Sequence, residues 1–97
     1  MEIKQTEVFK KWEGKLKDKR AKAAIAARIF RLVNGLAGDV SPIGLGLSEL
    51  RVHYGPGYRV YFKKQNKEII ILLCGGNKKT QHRDIEIAKQ LAQEWSI

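Results

Sequence analysis

The sequence predicts a single α+β domain in the order β-α-α-β-β-β-α. An N-terminal helical hairpin and a C-terminal helix are expected on one face of a twisted antiparallel sheet. Three observations predict this. Apolar residues recur at helical spacing between positions 8 and 36 and again between 85 and 95. Three strand-like runs, at 49–54, 58–64 and 68–74, lie between those segments. No linker, repeat or low-complexity stretch divides the 97 residues, so one domain spanning 1–97 is expected.

Residues 2–5 alternate weakly and read as a short first strand. Thr6 suits a helix N-cap, and Glu7 in the first turn complements the helix dipole. Val8, Trp12 and Leu16 then repeat on one face. Asp18 is placed to cap a second helix, on which Ile25, Ile29, Leu32, Val33 and Leu36 form a buried stripe. Four alanines at 23, 24, 26 and 27 favour that helix, and Gly35 and Gly38 mark its stop. The glycine-rich stretch 38–48 is expected to be a loop. The apolar run EIIILLC, residues 68–74, reads as a central strand, and the following glycines free the backbone to turn. Thr80 then caps a last helix carrying Ile85, Ala88, Leu91, Ala92 and Trp95 on one side.

Nineteen Lys+Arg against ten Asp+Glu give a net charge of +9, which predicts a polyanionic partner: nucleic acid, or an acidic protein segment. The bland alternative is a solvated basic surface. Candidate RNA contacts are Lys10, Lys11, Lys15, Lys22, Arg28 and Lys63. The single cysteine, Cys74, excludes an internal disulfide and reads as a buried thiol suited to a reducing cytoplasm. No signal core, membrane span, metal-ligand cluster or phosphate loop is expected, and no cofactor. The serines, Ser41, Ser48 and Ser96, show no companion His/Asp system.

The most informative segment is LRVHYGPGYRVYF, residues 50–62. Gly55-Pro56-Gly57 reads as a three-residue hairpin connection. Pairing Tyr54 with Tyr58 sets Val52 opposite Val60 and Leu50 opposite Phe62 on an apolar face. The other face then pairs His53 with Arg59 and Arg51 with Tyr61. Two adjacent guanidinium groups repel unless an anion lies between them, and their planar forks suit phosphate. Tyr61 is expected to stack on a base or donate its hydroxyl. Lys78 and Lys79 emerge where the last helix begins. Histidine is the side-chain type that ordinarily exchanges a proton near neutrality, which makes His53 a candidate proton acceptor or donor; Lys78 or Lys79 is the alternative. The plainer reading pairs Arg51 and Arg59 with Glu49 or with an acidic partner, and leaves His53 on the surface.

The blocks ELRVHYGPGYRVYF and IIILLCGGNKKTQHRDIEIAKQLA, together with the FKKW helix and the alanine-rich second helix, resemble the RelE/ParE toxin superfamily. The likeness is nearest to its HigB-like branch, the addiction-module killer proteins. It covers nearly the whole chain and implies a RelE-like fold. It also implies the toxin of a type II toxin–antitoxin system that acts in the cytoplasm, with a helix-turn-helix antitoxin as partner. In the RNA-cleaving branch the resemblance implies a metal-independent, ribosome-dependent endoribonuclease acting on mRNA. Arg59 matches the strand arginine near the scissile phosphate. Arg51 and His53 fall on the neighbouring strand, and Lys78 and Lys79 in the basic region after the last strand. The sequence departs from the RelE pattern in having no tyrosine after the last strand. The superfamily also contains ParE-like DNA gyrase inhibitors without nuclease activity, the alternative reading.

Overall fold

A computed structural model describes residues 1–95; Ser96, noted above, lies outside the described residues. The elements are β1 (Glu2–Gln5), α1 (Glu7–Lys15), α2 (Lys19–Val33), β2 (Val40–Gly44), β3 (Leu47–Val52), β4 (Tyr58–Gln65), β5 (Ile69–Asn77) and α3 (Gln81–Glu94). A short 3-10 turn, Lys78–Thr80, joins β5 to α3. The strands form one sheet in the order β1-β5-β4-β3-β2. The α+β class is as expected.

Local signals start the helices where the sequence indicates. Thr6 Oγ1 accepts from Phe9 N at 3.0 Å and donates to Leu73 O, which ties the start of α1 to β5. Asp18 accepts from the backbone N–H groups of Arg20 and Ala21. The end of α2 is a Schellman motif: Leu36 N bonds to Arg31 O and Gly35 N to Leu32 O, with Gly35 at φ +81°. The motif carries Leu36 out of the helix, so it is exposed rather than part of the buried stripe. On α1 the buried residue is Phe9, with Trp12 and Leu16 packed beside it, and the expected Val8 is largely exposed.

Three larger expectations are corrected. First, the helices cover both faces of the sheet. Phe9, Ile25, Ile29 and Leu32 pack with Leu50, Val52, Val60 and Phe62 on one side. Ala88, Ile85 and Leu91 of α3 pack with Leu47, Tyr61, Ile71 and Leu73 on the other. Strand β5 is apolar on both sides because it meets both layers. Each such side chain contributes roughly 1.5–3 kcal/mol on full burial. Second, β1 runs parallel to β5, so the sheet is not wholly antiparallel. Third, the expected loop contains β2, antiparallel to β3. Pro42 is tolerated there because β2 is an edge strand.

Gly75 and Gly76 lie within β5 rather than in a turn. A Cβ on Gly75 would sit 2.3 Å from the Trp12 ring, and one on Gly76 would sit 1.8 Å from Asp84 Oδ2. Their missing side chains let an indole and a carboxylate rest on bare backbone from opposite sides. No helix among the described residues is long and apolar enough to cross a membrane.

Candidate functional site

The β3–β4 hairpin places Arg51 opposite Arg59, Leu50 opposite Val60 and Val52 opposite Tyr58. The expected register is therefore displaced by two residues. The cause is the turn: β3 ends at Val52, Tyr54 N bonds to Val52 O, and Gly57 N bonds to Tyr54 O. Gly55 and Gly57 both take positive φ, and the connection widens from the expected three residues to five, 53–57. A displacement of two keeps every side chain on its face. Arg51, Arg59 and Tyr61 thus still share one side of the sheet, and His53 follows them just beyond the strand.

That side is the one covered by α3, and this changes what the residues can do. Tyr61 is fully buried among Leu47, Ile71, Leu73, Cys74 and Ala88. Its hydroxyl has no hydrogen-bond partner among the described residues. Burial first, then the negative charge of Glu49 and Asp84, pushes its pKa well above the usual phenol range. It cannot reach a base to stack on it, so the expected nucleotide-stacking role is corrected.

The anion between the two arginines is Glu49. Its carboxylate accepts from Arg59 Nη1 at 2.8 Å, from Arg51 Nε at 3.2 Å and from Gln81 Nε2 of α3 at 2.9 Å. Glu49 is 2% exposed. Burial works to raise its pKa, but the bonds from Arg59 and Arg51, the charge of Arg59 and the bond from Gln81 outweigh this and hold it below the usual carboxylate value. Arg51 also reaches Asp39 Oδ1 at 3.3 Å and the Ser41 hydroxyl. His53 Nε2 lies 2.5 Å from Asp39 Oδ2. The bond to His53 does most to lower the pKa of Asp39; burial opposes this, and the charge of Arg51 adds to it. Two guanidinium groups therefore meet two carboxylates of the same chain.

Lys78 and Lys79 come to this end of the sheet because β5 neighbours β4. Arg59 pairs with Gly76, Tyr58 with Asn77, and Lys78 N bonds to Gly57 O at 3.0 Å. Asn77 caps the 3-10 turn, accepting from Lys79 N and Thr80 N, while Thr80 accepts from Asn77 N. The expected cap, Thr80, accepts no bond from a backbone N–H of α3; its hydroxyl instead donates to the Asp84 carboxylate on that helix. Lys78 and Lys79 are exposed and make no ion pair among the described residues.

The other candidate RNA contacts separate. Lys10, Lys11, Lys15 and Lys22 belong to the helical layer on the opposite face, and Lys10 also pairs with Glu7. Lys63 is four residues along β4 from Arg59, roughly 13 Å at ordinary strand rise, beside Leu45 and Lys89. Arg28 is engaged internally: it donates to Ala37 O at 2.9 Å and to Arg51 O.

The plainer reading of the sequence, Arg51 and Arg59 paired with Glu49, holds, whereas Asp39 was not among the expected counterions. Glu49 shares strand parity with Arg51, a signal that alternation offers directly. Asp39 had no such signal, because it precedes a strand hidden in a glycine-rich stretch.

Residues 7–93 match the family model described as "Phage derived protein Gp49-like (DUF891)". An uncharacterized protein of Haemophilus influenzae is 54% identical over 97 residues, covering 100% of this chain and 98% of the relative. With a family match over almost the whole fold and a full-length relative of that identity, the chain belongs to the Gp49-like phage-derived family, a family of RelE/HigB-type toxins.

Proposed function

We propose that this protein is the toxin of a type II toxin–antitoxin pair and that it cleaves mRNA on the ribosome without a metal ion. The observation that carries the reading is the meeting of Arg51, Arg59, His53, Lys78 and Lys79 at one end of the sheet, on and beside a single hairpin. Family membership supports the toxin and the existence of an antitoxin partner. The HigB-like assignment, the helix-turn-helix character of that partner, the cytoplasmic setting and the chemistry are part of the proposal.

Cleavage without metal needs a base for the ribose 2′-hydroxyl, cations for the phosphorane and an acid for the leaving 5′-oxygen. His53 is exposed at the rim and is the base in this reading. Arg59 is 14% exposed at its side chain and is held at a fixed angle by Glu49. It offers its remaining donors to a phosphate oxygen, and Arg51 supports it. Lys78 and Lys79 are exposed at the rim with no ion pair among the described residues, and one of them protonates the leaving oxygen. The products are a 2′,3′-cyclic phosphate and a 5′-hydroxyl. Tyr61 has no part in the reaction.

The ParE-like reading, gyrase inhibition without cleavage, draws support from the same Glu49. An arginine pair already neutralised by its own chain has less call on a phosphate. Inducible expression in a bacterial host tests the choice. Wild type is expected to stop growth and translation, and a folded Arg59→Ala variant to lose about 10²–10³-fold in cleavage rate and leave growth unaffected. Growth arrest by that variant equal to wild type removes Arg59 from the mechanism.

A further inference from the structure

We propose that Asp39 is the positioning residue of this site. Its carboxylate holds the His53 ring with the imidazole proton on Nε2, so that Nδ1 is the atom that accepts a proton. This rests on the nuclease reading for its catalytic use, but the orientation it assigns can be tested without that reading.

The geometry argues it. Asp39 Oδ2 is 2.5 Å from His53 Nε2, and Oδ1 is 3.3 Å from Arg51 Nη1. An ionised carboxylate only accepts hydrogen bonds, so the nitrogen facing it must carry the proton. In the neutral imidazole the other nitrogen, Nδ1, then has a free lone pair. It has no hydrogen-bond partner among the described residues, and the side chain is 73% exposed. One carboxylate therefore links the base to an arginine that flanks the phosphate position.

Asp39 is not a loosely placed surface carboxylate. Its carbonyl accepts from Arg51 N at 3.0 Å, continuing the β2–β3 ladder. Arg28 reaches from α2 to the carbonyls of Ala37 and Arg51, clamping the lead-in of β2 to the end of β3. Gly38, at φ +69°, makes room for that guanidinium: a Cβ there would lie 2.9 Å from Arg28 Nη2. The fold thus fixes the backbone on both sides of the Asp39–His53 contact. An exposed ion pair contributes little to stability, so its effect lies in orientation.

In the reaction, the 2′-hydroxyl proton moves to Nδ1 and the oxygen bonds to phosphorus. The bond from phosphorus to the 5′-oxygen breaks, and that oxygen takes a proton from the lysine acid. The imidazolium formed on His53 keeps its Nε2 bond to Asp39.

A double-mutant cycle on the full chain, read on programmed ribosomes, tests the assignment. Asp39→Ala is expected to lower kcat by about 10-fold or more with KM unchanged, and to cause no further loss when His53 is already alanine. Asp39→Glu restores part of the rate. Full additivity of the two alanine variants overturns the proposal. Histidine ¹⁵N spectra in mildly alkaline buffer give a second readout, independent of cleavage. Wild type and Arg59→Ala hold the proton of His53 on Nε2, whereas Asp39→Ala also populates the Nδ1–H form. Identical spectra for all three overturn the assignment. Wild-type protein that cuts no RNA overturns the nuclease reading and the catalytic use of Nδ1, while the spectra still decide the orientation.

Discussion

The carboxylate of Glu49 lies 2.8 Å from Arg59 Nη1, and this buried pair organises the end of the sheet on which the proposed chemistry depends. Through Glu49 the pair extends to Arg51 on the same strand and to Gln81 at the start of α3. Removing the carboxylate leaves a nearly buried guanidinium without its counterion. Glu49→Ala is expected to lower the unfolding free energy by about 3 kcal/mol, the lower end of what breaking a buried pair costs, because Arg51 can turn to solvent. Urea unfolding measures it.

The same pair sets an acid limit to stability. Glu49 has a folded pKa below its ordinary value of 4.5. Its contribution is therefore complete above about pH 4.5 and is lost as pH falls through the lowered folded value. Asp39, lowered from 3.8 first by its bond to His53, likewise contributes above about pH 3.8 and loses that contribution as pH falls through its lowered folded value. Thermal melts across that window should fall steeply for wild type and less steeply for Glu49→Gln.

Tyr61→Phe separates strand parity from function. The hydroxyl is buried and has no partner among the described residues, so its removal should leave stability unchanged or raise it slightly. Cleavage and growth arrest should match wild type. A large loss of activity in a stable Tyr61→Phe protein would put the hydroxyl back into the mechanism.

Gly76→Ala tests how closely α3 sits on β5. The added methyl would meet Asp84 Oδ2 and Thr80 Oγ1 at 1.8 and 2.7 Å, so the bond between these two side chains must break or β5 and α3 must separate. A loss of about 1–3 kcal/mol or more is expected, seen as a lower Tm. Gly14→Ala, whose Cβ would meet nothing within 4 Å, serves as the control and should be neutral or stabilising.

Cys74 reports opening of the α3 layer. It is 2% exposed, and burial, helped by the charge of Asp84, pushes its thiol up to about 12. Alkylation of the native protein by iodoacetamide at neutral pH should be far slower than alkylation in denaturant. A native rate close to the denatured one would mean that α3 leaves the sheet readily.

The helices and the two faces of the hairpin were legible in the sequence because they depend on local periodicity and on caps such as Thr6 and Asp18. Strand order and parallel pairing were not, since nothing near Glu2–Gln5 specifies Ile69 to Leu72 as its neighbours. The covering of both faces had a signal, the unbroken apolar run of β5, whose full meaning needed α3 on the side of Tyr61. The arginines were legible as cations of one face. Their neutralisation was half legible, through the parity of Glu49, and half hidden, because Asp39 leads into a strand built around Gly and Pro.

The central claim is cleavage of mRNA by the end of the sheet that holds Arg59. Genome-wide mapping of mRNA 5′ ends after brief induction tests it most directly. A nuclease of this kind should yield new, codon-phased 5′-hydroxyl ends inside translated reading frames, absent on expression of the folded Arg59→Ala protein. Intact mRNA accompanied by a DNA-damage response and arrested gyrase would contradict it.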